Sequence, residues 1–119
     1  MTIVIARTAT PEGQAAFDVG LSEATRRNED AVIFHLGGDA SDLEATELGG
    51  VPVSHRTPDA RGHDAVGDLL DAAEEVDASL IVVGVKHRSP MGKLLLGSAA
   101  QQILLEAAAP VLAVKPPRG

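Results

Sequence analysis

The chain contains no cysteine, tryptophan or tyrosine, and only two phenylalanines. Without cysteine there is no disulfide and no thiolate metal site, and the redox compartment is left open. Aromatics make up 2% of the residues and hydrophobic residues 45%, so the core must be aliphatic, built from Val, Ile, Leu and Ala. No apolar run is long enough to cross a bilayer, and "MTIVIARTATPEG" lacks the layout of a signal peptide. A cytoplasmic protein with no membrane partner is therefore expected. No Asp, Glu and His cluster has metal-ligand spacing, and no base can be placed beside a nucleophile, so no metal ligand and no catalytic residue is assigned.

Acidic residues are missing from one long window. The formal charge is −7, which disfavours nonspecific binding to nucleic acid. All seventeen acids nevertheless lie outside residues 78–105. That window holds Lys86, His87, Arg88 and Lys93. It is a basic island on an acidic chain.

A length of 119 residues suits one domain, taken as 1–119. "TIVIA" (Thr2–Ala6), "AVIFHLG" (Ala31–Gly37) and "SLIVVGV" (Ser79–Val85) are short apolar runs, read as strands buried on both faces. "VPVSHRT" (Val51–Thr57) alternates and contains Pro52, which points to an edge strand. "PVLAVK" (Pro110–Lys115) is a final strand. "TPEG" (Thr10–Gly13) starts a helix, with a Thr cap and Pro at the first helical position. Val66, Leu69, Leu70, Ala73 and Val76 mark a second helix over 63–76. Ala100, Ile103, Leu104, Ala107 and Ala108 mark a third. The polar segment 38–50 is read as holding one or two helical turns.

Strands that alternate with helices imply βαβ units and a parallel sheet. The weaker third and fifth strands belong at the edges. The expected fold is therefore α/β: an open five-stranded parallel sheet of order 3-2-1-4-5 with helices on both faces. In such a sheet a ligand sits beyond the carboxyl ends of the strands where the order reverses, here between the first and fourth. That places Ala6, Arg7 and Thr8 on one side and Gly84, Lys86, His87 and Arg88 on the other. The third helix completes the place. Ser98 and Gln101 fit a capping box, so its first amides, near Gly97, Ser98 and Ala99, face the crevice. The plain alternative is that Gly97-Ser98 is only a good cap. A Walker loop fails, because Leu94 follows Gly92-Lys93 and position 87 is His. A dinucleotide fingerprint fails, because the turn after the first strand is "RTATPEG".

At this point the chain resembles the universal stress protein family. That family's nucleotide signature is glycine, two residues, glycine, nine residues, glycine, then Ser or Thr. Here Gly84, Gly97 and Ser98 keep the spacing, and His87 stands at the second glycine. "LLDAAEEVDASLIVVGV", "KLLLGS" and "APVLAVK" extend the resemblance over most of the chain. It implies ATP or a related adenine nucleotide as ligand, with Leu36 flanking the base, and a homodimer through strand 110–115. ATP-binding members carry an Asp after the first strand, and the matching position here is Arg7 or Thr8. Those two departures keep a second reading open, a dimeric interaction protein that binds no nucleotide. A slow ATPase is the most that enzyme chemistry would amount to. His35 reads as a hydrogen-bonded structural residue, and His55 and His63 as surface residues.

Overall fold

The computed structural model describes residues 1–37, 46–59, 62, 64–86 and 96–117. Its strands are β1 (Thr2–Arg7), β2 (Asp30–His35), β3 (Glu47–Leu48), β4 (Val51–Arg56), β5 (Leu80–Gly84) and β6 (Val111–Val114). Its helices are α1 (Pro11–Arg27), α2 (Ala65–Glu75) and α3 (Ser98–Glu106). The sheet order is β3-β4-β2-β1-β5-β6, parallel except for the β3–β4 pair. The reversal therefore falls between β1 and β5, as the sequence implies.

The sheet has six strands, not five. The additional one is β3, in the segment expected to hold helical turns, whose residues 38–45 lie outside the described set. It forms a hairpin with β4 through Gly49 (φ 58°) and Gly50 (φ 84°). Two successive positive φ values are what a tight two-residue hairpin requires, and Gly-Gly supplies them without a Cβ penalty. The Pro52 strand thus lies one place in from the edge. Proline is accommodated because the ladder with β2 begins only at Val53, and it is the Val53 N–H that donates to the Thr46 carbonyl (2.9 Å).

Alternation along the strands sorts the core into two layers. Ile3, Ile5, Ile33, Val53 and Val82 face α1. Val4, Ala6, Phe34, Ile81 and Val83 face α2 and α3, where Leu69 and Ile103 are fully buried. Among the described residues the fully buried large side chains include a single aromatic, Phe34.

The helix ends follow local chemistry. Thr10 caps α1, its Oγ1 accepting from the Gly13 N–H at 3.0 Å, and Asn28 closes it in the left-handed region at φ 57°. Asp64 caps α2, accepting from the Gly67 N–H at 2.8 Å. The buried stripe of α3 is narrower than its periodicity implies. Only Ala100 and Ile103 are buried on that helix, and it ends at Glu106, so Ala107 and Ala108 lie past it. Leu105 is 78% exposed.

Leu69 is enclosed by both helices and the sheet, so Leu69→Ala leaves a cavity that cannot close. The expected loss is about 2–5 kcal/mol. Urea unfolding should show it as a lower midpoint with an unchanged slope.

Candidate functional site

The first turn of α1 and the end of β5 meet closely. A Cβ built on Gly84 would collide with the Glu12 backbone, and one on Gly13 with Thr8. Gly84 is therefore required for contact between two chain segments, a role distinct from opening a path for a phosphate. Thr8 continues from β1, and its Oγ1 lies 2.7 Å from Thr10 Oγ1. Thr10 also accepts the Gly13 N–H, so one hydroxyl closes the helix and anchors the strand end.

Beyond these strand ends lies a cleft of about 200 Å³. Its apolar floor is formed by Ala6, Leu36, Val83 and Ala100. Thr8, Thr10, Glu12 and Gly84 form the α1 side, and Lys86 with Gly97, Ser98 and Ala99 the other. The Leu36 N–H donates to the Arg7 carbonyl at 2.9 Å, which holds Leu36 beside β1.

The start of α3 differs from the capping box read in the sequence. Gly97 is the N-cap, with φ −66° and ψ 161°, and no side chain caps the helix. Ser98 is already the first helical residue, so Gln101 falls one place too late to complete a box. Its N–H instead makes the first turn of the helix, to the Gly97 carbonyl at 3.0 Å. The amides of Ser98, Ala99 and Ala100 have no intrahelical partner, and these residues line the cleft. A Cβ on Gly97 would meet no described residue within 4 Å. Among the described residues Lys86 makes no hydrogen bond or ion pair. An uncapped helix start beside an unpaired ammonium is a setting for an anion.

Of the eleven residues proposed from sequence, Ala6, Thr8, Leu36, Gly84, Lys86, Gly97, Ser98 and Ala99 come together here. His87 and Arg88 lie outside the described residues. Arg7 does not line the cleft. Its guanidinium lies 4.1 Å from the Phe17 ring centroid, on the α1 face. Strand alternation explains this, since Arg7 shares the parity of Ile3 and Ile5. Thr10, Glu12, Val83 and Ala100 were missed. The signal for Thr10 and Glu12 was the "TPEG" helix start, which follows β1 at the same edge.

The histidines are elsewhere. His35 is buried on the α1 face, in register with Arg7, and its Nε2 lies 2.9 Å from Nδ1 of His55. The rings are stacked, with centroids 5.2 Å apart. His35 is thus a hydrogen-bonded structural residue. His55 is its half-buried partner and not a simple surface residue, while His63 lies outside the described set.

A second hollow of about 200 Å³ lies at the opposite end of the strands, near the last turns of α2 and α3. Glu74, Asp77 and Glu106 line it, and neither helix has a basic residue in its last turn. Carboxylates and two negative helix ends repel an anion, so the two hollows have opposite preferences.

Comparison with known proteins gives a consistent result. The sequence profile of the Universal stress protein family matches residues 39–115. A universal stress protein of Mycolicibacterium smegmatis is 43% identical over 128 aligned positions, covering 96% of this chain and 97% of its own. The structure of a universal stress protein from Archaeoglobus fulgidus superposes with a TM-score of 0.74 at 30% identity, covering 97% of this chain and 98% of that one. The structure of the universal stress protein from Archaeoglobus fulgidus in complex with dAMP gives a TM-score of 0.68 at 26% identity, with 97% and 98% covered.

Because Thr10 joins two elements, Thr10→Ala should destabilise the fold by about 1–2 kcal/mol. Thr10→Ser should restore most of that loss. Equal stability of the Ala and Ser variants in thermal unfolding would contradict the cap.

Proposed function

The chain belongs to the universal stress protein family, and from that premise we propose that its cleft binds ATP or a related adenine nucleotide. The observation that carries this reading is the uncapped start of α3 beside Lys86, open to a cleft at the sheet's point of reversal. The amides of Ser98 to Ala100 and the Ser98 hydroxyl would hold phosphate, with Lys86 supplying charge. Ala6 and Leu36 would flank the base. The dAMP held by the Archaeoglobus fulgidus relative supports an adenine nucleotide as the class of ligand. His87 and Arg88 belong to the same proposal as further phosphate contacts. The site's role in this reading is regulatory binding in the cytoplasm. Among the described residues no helix is long and apolar enough to cross a membrane.

Ser98→Pro is a direct test. Proline is tolerated at a first helical position, and the extended Gly97 is compatible with a following proline. The variant loses one amide donor and the hydroxyl while the helix remains. Charge-assisted hydrogen bonds contribute about 1.5–3 kcal/mol, so AMP or ATP binding should weaken at least about tenfold in low-salt calorimetry. Undiminished affinity would remove α3 from the site.

A second reading rests on β6. It lies at the sheet edge, and Leu112 and Val114 pack on the α1 layer. The carbonyls of Pro110 and Val114 accept from Ile81 and Val85 of the β5 side, so alternation turns the amides of Val111 and Ala113 outward. Such an edge can pair with that of a second copy. Ala113→Pro removes an outward donor and spares the β5 ladder, so it should convert a dimer to monomer in sedimentation. An unaltered protein that sediments as a monomer would end this reading.

A further inference from the structure

Glu12 lines the cleft and is the one carboxylate among the described residues to do so. Among the described residues its side chain makes no hydrogen bond or ion pair. It is half-buried in the first turn of α1, and its Cβ lies against Gly84, where no side chain could replace the contact. Among the described residues the carboxylate is therefore unpaired, and the backbone and Cβ that carry it are held in place.

The layout of the cleft defines what it would meet. The α3 amides and Lys86 attract the phosphate end of a ligand. The apolar floor of Ala6, Leu36 and Val83 suits a base. The sugar that joins phosphate to base must then lie between them, toward the α1 side. That side offers Thr8, Thr10 and Glu12. Thr10 is already engaged by the Gly13 N–H and by Thr8. Glu12 is the group with unused capacity. A carboxylate accepts from two neighbouring hydroxyls at once, and a carboxylate on the ribose hydroxyls is an established way to recognise a nucleotide.

We infer that Glu12 accepts hydrogen bonds from the ribose hydroxyls of the bound nucleotide and makes the cleft selective for ribonucleotides over 2′-deoxyribonucleotides. The inference rests on nucleotide binding in the cleft. Gly84 is then a positioning residue. It allows α1 to approach closely enough for the carboxylate to reach the sugar.

The experiment is calorimetry of the full chain with AMP, 2′-deoxy-AMP and adenosine, on the wild type, Glu12→Gln and Glu12→Ala. Thermal unfolding confirms that each variant is folded. The wild type should prefer AMP over 2′-deoxy-AMP by about tenfold or more, as expected for a lost hydrogen bond to a charged acceptor. In both variants that preference should fall to within about threefold. The preference for AMP over adenosine reads the phosphate end and should not change. AMP binding with no preference in the wild type, or with a preference that survives in both variants, would overturn the role of Glu12 and leave the nucleotide site standing. No binding of AMP to the wild type would overturn the nucleotide site and the role of Glu12 together.

Discussion

The contact between Gly84 and the first turn of α1 governs the carboxyl edge of the sheet. A side chain at position 84 would push into the Glu12 backbone. The strand could then no longer end where the helix begins. That one close approach sets the width of the cleft on its α1 side. It also fixes where the Glu12 side chain starts from. The same device recurs about two turns further on, where Gly20 lets α1 lie on Ile5. Helix α1 can pack closely on β1 and β5 because Gly20 and Gly84 have no side chain to hold them apart.

The three helix starts among the described residues show a division of labour. Thr10 and Asp64 close α1 and α2 with their own side chains. Helix α3 begins at a glycine and leaves its amides unserved. A side-chain cap contributes about 1 kcal/mol to a helix. Its omission at the start that faces the cleft is a local departure from the stablest choice. Departures of that kind are expected where a site needs free hydrogen-bonding groups.

Much of the architecture was legible because burial on both faces writes long aliphatic runs into a parallel sheet. The β-branched stretches of β1, β2 and β5 and the stripe of α2 could be read without ambiguity. The reversal between β1 and β5 followed from them. What escaped reading was short or depended on one residue of register. Strand β3 spans two residues, too few for periodicity, and its signal was the Gly49-Gly50 pair. The α3 cap was misplaced by one residue, because both Gly97 and Ser98 are acceptable caps and only the backbone decides between them. Arg7 was placed in the cleft by its position in the chain, although alternation from Ile3 and Ile5 sends it to the other face. The pairing of His35 with His55 needed the β2–β4 register, which brings two residues twenty positions apart to 2.9 Å.

The acidic hollow near the last turns of α2 and α3 has a consequence for kinetics. It lies at the opposite end of the strands from the uncapped start of α3 and Lys86. Charge is therefore segregated along the strands. A chain whose overall charge is −7 would slow the arrival of an anion from most directions. A field segregated in this way would favour the carboxyl edge for an anion within about a Debye length, roughly 8 Å at physiological ionic strength. Salt would then act mainly on the rate at which an anion meets that end.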